Sequence, residues 1–292
     1  MASDLEREQL IRAHARQRFL KRLGVYVLLS VGALTMVAPF IWMISTSLKE
    51  FGDVFSYRKP WWYDWVPTSF VWQNYVRAFN VVPFARFYLN SIFVVVLTTL
   101  GQVATSALSA YAFARLRFPG RDQLFFGYLA TMMIPGAVTM IPVFILLQFF
   151  GWIDTYQAVI LPGMFTAYGT FMLRQFFLTL PRDLEDAAKM DGCGYFGIFW
   201  KIVLPLSKPA LATLTTFVFM GTWMNFMWPL VVLNSHEKFT LPVGLAYFQS
   251  VHGTDWTLLM AGSLMMILPI LLLFIFNQRY FVEGIKLTGI KG

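Results

Sequence analysis

The side chains best suited to holding a metal or forming an acid–base cluster are few in this 292-residue chain: three histidines, one cysteine and fifteen acidic residues. His14, His236 and His252 are scattered, with no pair at the spacing that puts two ligands on one helix face. Cys193 is the sole cysteine, which excludes both an internal disulfide and a cysteine-rich metal site. The chain is therefore expected to be no enzyme, with no catalytic residues and no metal ligands. Polar chemistry concentrates in two other places. In residues 180–206, Asp183, Glu185 and Asp186 precede Ala187-Ala188 and the turn Gly192-Cys193-Gly194. In Trp223-Met224-Asn225-Phe226-Met227-Trp228-Pro229 an amide stands between indoles, a set that suits a polyol with apolar ring faces, although helix packing would use the same residues.

The elements that must position these residues are membrane helices. Hydrophobic residues make up 58% of the chain and charged ones 13%, with a mean hydropathy of +0.60, a balance too apolar for a soluble domain. A spanning helix needs about 20 apolar residues to cross a core of roughly 30 Å. Long apolar runs place spans near 25–47, 89–114, 123–150, 157–179, 210–233 and 257–278. The expected fold class is an all-α integral membrane protein of six transmembrane helices. It divides into an N-terminal segment 1–24, one membrane domain 25–282 that carries a loop at 180–209, and a tail 283–292. The net charge of +8 calls for no nucleic acid, because basic residues flanking spans give the same total.

Orientation follows from the basic residues. Of 23 lysines and arginines, Lys49, Arg58, Lys59, Arg77, Arg86 and Lys238 fall on one side, and the remaining seventeen on the other. Lysine and arginine resist translocation, so the richer side is expected in the cytoplasm together with both termini and the 180–209 loop. The first apolar run is longer than the core of a signal peptide and reads as an uncleaved anchor. On the expected outer side, residues 48–87 are rich in aromatics (Phe51, Phe55, Tyr57, Trp61, Trp62, Tyr63, Trp65), which fits an interfacial loop or a substrate-stacking surface. Prolines within the runs, at 39, 135, 142, 162, 229 and 269, are candidate kinks.

Within the inner loop, Pro181 suits a first helical turn, the acids favour a positive helix end, and Ala187-Ala188 are strong helix formers. A short helix is expected to begin near Pro181. Gly192 and Gly194 would supply positive φ to end it, and a second helix would run from Tyr195 to Leu204 and stop at Pro205. The product is a helix-turn-helix on the cytoplasmic side, whose small Ala-Ala face admits a partner's groove while its acids pair with that partner's arginines.

This loop resembles the Glu-Ala-Ala loop of binding-protein-dependent ABC importer permeases: Glu-Ala-Ala, three residues, Gly, about nine residues, Ile-x-Leu-Pro. Asp186-Ala187-Ala188, Gly192 and Ile202-Val203-Leu204-Pro205 take those places. Asp186 stands where the family usually has Glu, and Glu185 is the neighbouring carboxylate that could substitute. The likeness extends to Pro39-Phe40-Ile41-Trp42-Met43, Ser45-Thr46-Ser47-Leu48-Lys49, Asn90-Ser91, Ala110-Tyr111-Ala112-Phe113-Ala114-Arg115 and Phe171-Met172-Leu173-Arg174-Gln175-Phe176-Phe177. The ending Gly284 to Gly292, with Gly289, Lys291 and Gly292, is similar to that of the maltose-permease second subunit and its relatives, where the tail reaches the ATPase dimer; a frayed end is the plain alternative.

The resemblance implies a type I ABC importer permease of the bacterial inner membrane, in its carbohydrate branch. It implies a homologous permease partner, two ATP-binding cassette subunits that hold ATP and magnesium, and an extracytoplasmic solute-binding protein that delivers a sugar. The loop would be the coupling helix, docked through Glu185, Asp186, Ala187, Ala188, Gly192, Leu204 and Pro205. Trp223, Asn225 and Trp228 are candidates for the substrate pathway, and the outer loop 234–255 for contact with the binding protein. The tail's Gly284-x-x-x-x-Gly289-x-Lys291 lacks the Gly-Lys-Ser/Thr core of a nucleotide loop, so ATP would be hydrolysed elsewhere. The alternatives are an ABC permease for a polyol or glycerophosphodiester, or an ion-driven secondary transporter, which would want acids or histidines inside the spans.

Overall fold

The computed structural model describes residues 2–55, 60–67, 69–250 and 253–289. These fall into two compact units, Met1–Arg77 with Thr254–Leu264, and Ala78–Gly253 with Met265–Gly292. Apart from two two-residue strands, all regular elements among the described residues are helical.

In the first unit α1 (Ala2–Ser47) runs unbroken through the charged segment expected to precede it. Residues 2–23 hold neither glycine nor proline and are rich in Leu, Glu, Arg and Ala, all strong helix formers, so nothing stops the helix at residue 25. Its end is fixed by one buried amide: Asn74 Nδ2 donates to the carbonyls of Ser47 (3.0 Å) and Lys49 (2.8 Å). Those are carbonyls a helix terminus leaves without intrahelical partners. Val71 N–H donates to Leu48 O, and Lys49 Nζ donates to Asp64 O at 3.0 Å. Residues 45–49 are all buried as a result. Phe55 packs between Trp42 and Trp256.

α2 (Gln73–Val81) leads into the second unit, which α3 (Phe84–Arg115) organises. Then follow α4 (Arg121–Ala130), α5 (Gly136–Phe149), α6 (Tyr156–Gly163) and α7 (Ala167–Thr179). Ala107, Ala110 and Ala114 of α3 share a buried cluster with Leu173 and Phe177 of α7. With no water to drive association inside a bilayer, helices gain most by close approach of small residues. A side chain on Gly169 of α7 would overlap Ser106 of α3.

The remaining helices are α8 (Asp183–Met190), α9 (Tyr195–Ile198), α10 (Leu204–Leu206), α11 (Lys208–Trp223), α12 (Met227–Val232), α13 (Leu241–Leu245) and α14 (Trp256–Gly289). Three of the six expected spans are interrupted. The run 123–150 is α4 and α5 bent by 100°, where Ile134, forced toward extended backbone by Pro135, ends the first half. The run 157–179 is α6 and α7, restarted by Thr166, whose side chain accepts from Gly169 N–H at 3.3 Å. In 210–233, α11 stops at Trp223, and Asn225 Oδ1 accepts Trp228 N–H at 3.3 Å at the start of α12. By length and composition, Arg16–Ser47, Phe84–Arg115 and Trp256–Gln278 can each cross a membrane unaided. Arg121–Met133 with Gly136–Phe149, and Tyr195–Leu206 with Lys208–Trp223, do so as bent pairs.

Candidate functional site

The loop between α7 and α11 is the helix-turn-helix that its sequence spells, with three differences. α8 starts at Asp183 rather than Pro181, after Arg182 as its cap residue. Gly192 has φ +81°, the left-handed conformation that ends α8, while Cys193 N–H closes on Ala188 O at 2.9 Å. Gly194, expected to share that role, is extended (φ −73°, ψ 166°) and caps α9. The second arm passes through a π-turn at Phe199–Val203 and does not stop at Pro205, which lies in the first turn of α10; the break comes at Ser207, where the chain bends by 79° into α11. Leu204 is half-buried and Pro205 exposed. Ala188, Ile198, Phe199 and Val203 join the cluster of α3, α7 and α11, so the loop is seated on the helices and not merely tethered to them.

The loop's two adjacent carboxylates face opposite ways. Glu185 points inward, ion-paired with Arg115 at 3.1 Å, with both side chains almost wholly buried. Arg115 Nη2 also donates to the carbonyls of Phe177 and Leu180, and Tyr111 Oη donates to Tyr195 O at 3.1 Å. One guanidinium therefore joins the end of α3, the end of α7 and the first turn of α8. Asp186 is exposed and accepts from Lys189 Nζ at 2.8 Å, a hydrogen bond that holds its carboxyl below the usual carboxylate range. Ala187 is exposed and Ala188 buried. With Leu184 and Met190, the latter 90% exposed, Ala187 makes an apolar stripe on the outward face of α8, beside the exposed Asp186 and Lys189. An exposed apolar helix face flanked by charge is a surface for a partner's groove.

The three helix interruptions meet at a cavity of about 620 Å³ bounded by α3, α5, α6, residues 222–229 and Thr240. Asn225 and Trp228 line it. Trp223 does not: it is 1% exposed, stacked on Phe219, and its Nε1 donates to Met266 O at 2.9 Å. Trp228 is held by Nε1 donating to Ala158 O at 3.0 Å. Sequence reasoning missed the role of Arg115, which it used for orientation and as the end of a family match, and it missed the cavity's Thr98 and Thr240.

Asp154, with φ +61°, organises the connections between α5 and α6 and after α12. Its carboxylate accepts from the backbone N–H groups of Asn234 and Ser235 (both 2.9 Å), from Ser235 Oγ and from Lys238 Nζ at 2.8 Å. Burial alone would raise this carboxyl, but the Lys238, Ser235 and Asn234 donors outweigh it and hold it well below the usual carboxylate range. Asn90 Nδ2 donates to Glu237 O and Phe239 O, and Ser91 Oγ accepts Leu241 N–H. The start of the 234–255 loop is thus pinned to α3 and to the α5–α6 turn. Of the aromatic loop, Phe51, Phe55, Trp61, Trp62 and Trp65 are exposed, and Tyr57 lies outside the described residues. In the tail, Gly289 ends α14, and Lys291 and Gly292 lie outside the described residues. Among the described residues no group of three His, Cys, Asp or Glu side chains could hold a metal.

Apolar helices broken around an uncharged cavity, with a seated helix-turn-helix presenting one apolar face, define a transport permease. The chain belongs to the binding-protein-dependent transport system inner membrane component family, whose model matches residues 102–285. It is 40% identical over 227 residues to the arabinooligosaccharides transport system permease protein AraQ of Halalkalibacterium halodurans, covering 77% of this chain and 81% of that one. It is 32% identical to the sn-glycerol-3-phosphate transport system permease protein UgpE of Yersinia pestis, covering 89% and 94%. A bacterial ABC transporter involved in the import of the acidic polysaccharide alginate contains a chain that superimposes with a TM-score of 0.79 at 27% identity, over 89% of this chain and 95% of that one. The fold is that of a type I ABC importer permease, and the chain is an ABC importer permease.

Proposed function

We propose that this chain carries a carbohydrate across the bacterial inner membrane as one of two homologous permease subunits. Two separate ATPase subunits bind ATP and magnesium, and an extracytoplasmic solute-binding protein delivers the sugar; the chain itself holds no cofactor. Both termini and the 180–209 loop lie in the cytoplasm, and residues 25–282 act as one membrane domain. The observation that carries this reading is the division of labour on α8. Glu185 binds inward to Arg115, leaving Leu184, Asp186, Ala187 and Met190 on the outward face to enter a cleft of the ATPase, so Glu185 does not replace Asp186 as the partner-facing acid. ATP-driven closure of the ATPase dimer would push α8, and the Arg115 junction would pass that push to α3 and α7, reopening the cavity outward by alternating access. Gly289, Lys291 and Gly292 would add a second contact with the ATPases. Asn225 and Trp228 lie where the pathway would run; Trp223 serves packing.

The test is ATP-dependent uptake into proteoliposomes carrying the whole complex, with radiolabelled arabinotriose and glycerol 3-phosphate supplied in parallel with their binding proteins. Arabinotriose uptake that fails with Gly192→Pro and with Asp186→Lys, while ATP hydrolysis persists or assembly weakens, is the expected result. Full uptake in both variants would overturn the coupling role of the loop. Uptake of glycerol 3-phosphate alone would favour a permease for a glycerol phosphate, a neighbour of the polyol or glycerophosphodiester alternative that the 32% identity to UgpE supports.

A further inference from the structure

The chain turns from α3 into α4 through residues 116–120, and guanidinium groups gather there. Arg117, Arg121 and Asp122 line a hollow of about 330 Å³ at this turn; Arg121 and Asp122 also line a cleft of about 410 Å³ between α4 and α7, which Arg174 closes. Arg174 is fixed in place: its Nε donates to Phe113 O at 3.2 Å, and its guanidinium lies 4.1 Å over the Phe125 ring. A guanidinium carries five N–H donors, and those on the Nη atoms of Arg174 have no acceptor among the described residues. Asp122, the carboxylate here, is held by Arg121 at 2.9 Å. Arg117 and Arg174 are ion-paired with no carboxylate among the described residues. Deeper in the cleft the lining is apolar, with Phe126 67% exposed beside Leu129 and Phe171. α3 has 32 residues, about 48 Å at 1.5 Å per residue, against roughly 40–45 Å for a bilayer with its headgroup layers. The turn that follows α3 therefore lies at headgroup level, and the Phe126 wall lies one to two helical turns deeper, among acyl chains.

We infer that the cleft between α4 and α7 is a binding site for an anionic glycerophospholipid of the leaflet on the side of the 180–209 loop. Its phosphate diester is held by Arg174, Arg121 and Arg117, and one acyl chain lies on Phe126, Leu129 and Phe171. The two unesterified oxygens of a phosphate diester match the paired N–H groups of a guanidinium. Three guanidinium groups against the single Asp122 carboxylate leave an excess of positive charge, which favours a headgroup of net negative charge over a zwitterionic one. A free phosphate would satisfy the guanidinium groups and leave the apolar wall bare, so the phosphate is assigned to a lipid. Bound there, the lipid would tie α4 to α7 from outside the protein, whatever cargo the permease carries.

The experiment places the full chain in nanodiscs holding equal amounts of phosphatidylglycerol, phosphatidylethanolamine and phosphatidylcholine, and counts the lipids it retains by native mass spectrometry. Preferential retention of phosphatidylglycerol is expected. Arg117→Gln should weaken that retention about 5-fold, the worth of one basic residue at an anionic surface. Phe126→Ser should weaken it as well, and excess inorganic phosphate should not displace the lipid. Arg174→Gln should weaken it most; because Arg174 also packs on Phe125, its melting temperature is read alongside. Arg117 is exposed and has no ion-pair partner among the described residues, so its variant keeps the test decisive if Arg174→Gln fails to fold. Lys208→Gln removes an exposed base at the start of α11, outside the cleft, and should leave retention unchanged. Equal retention of the three lipids, displacement by inorganic phosphate, or unchanged retention in both Arg117→Gln and Phe126→Ser overturns the site. A loss in Lys208→Gln equal to that in Arg117→Gln overturns it too, since it would show a diffuse attraction to the whole basic face.

Discussion

Arg115 and Glu185 form a buried ion pair, 3.1 Å apart, that ties the last turn of α3 to the first turn of α8. Both charges are out of water, so the pair is bound by what would follow from losing one member. Glu185→Gln leaves the guanidinium with only the Phe177 and Leu180 carbonyls, a loss of about 3 kcal/mol at the lower end for a broken buried pair. The melting temperature of the purified chain should fall, and in the assembled complex cargo transported per ATP hydrolysed should fall with it. Arg115→Met combined with Glu185→Leu should recover most of the melting temperature, since apolar replacement of a buried pair is often near neutral, yet not the transport ratio, because the α3–α7–α8 junction is gone. A double variant with normal coupling would show that the pair acts only in folding.

Asn74 offers a test in the first unit. Its amide donates to two carbonyls at the end of α1, at 3.0 and 2.8 Å, and is 1% exposed. Asn74→Ala strands both acceptors in the interior at a cost on the order of 2 kcal/mol. Asn74→Asp should be worse, since a carboxylate would face carbonyl oxygens. Limited proteolysis within residues 50–70 reads the release of this segment, and equal cleavage in wild type and Asn74→Ala would refute the anchor.

The Asp154 cluster predicts a pH dependence with a definite sign. Its carboxyl is depressed in the folded chain by Lys238 and the Ser235 and Asn234 donors, so its contribution is complete above the unfolded value of about 3.9 and is lost as pH falls through the lower folded value. Asp154→Asn, which keeps a side chain tolerant of positive φ, should loosen the 234–238 connection at pH 7. Wild type and variant should converge as the pH falls below about 4. Hydrogen exchange at the Asn234 and Ser235 amides reports both limbs, and a difference between the proteins that grows in acid would contradict the assignment.

Much of this was legible in sequence because apolar run length alone marks a membrane helix, and because the Glu-Ala-Ala pattern fixes the loop. The interruptions were legible only where proline announced them, as at Pro135. At 164–166 the candidate kink Pro162 lies inside α6, two residues before the break, and Thr166 caps α7. Which of two adjacent carboxylates turns inward is a matter of helix phase. Glu185 and Ala188, three apart, share the buried face, a spacing present in the sequence but masked by alignment to the family motif at Asp186. Arg115 entered the orientation count and a family match without its partner, since a basic residue at a span's end looks alike whether it faces lipid headgroups or a buried carboxylate.

The two glycines of the loop turn separate a conformational requirement from mere smallness. Gly192 has φ +81° and Gly194 φ −73°, and a β-carbon on either would meet nothing within 4 Å. Sterics against neighbours are therefore absent from both substitutions, and only the backbone differs. Gly192→Ala forces an L-residue into the left-handed region at about 1–2 kcal/mol, whereas Gly194→Ala should be nearly neutral or slightly stabilising through the unfolded chain. Thermal melts of the two variants should differ by that amount. ATPase association should weaken only for Gly192→Ala, because the turn sets the angle at which α8 is presented. Equal behaviour of the two would show that the turn tolerates rearrangement, and that the left-handed residue is not what holds the helix-turn-helix in place.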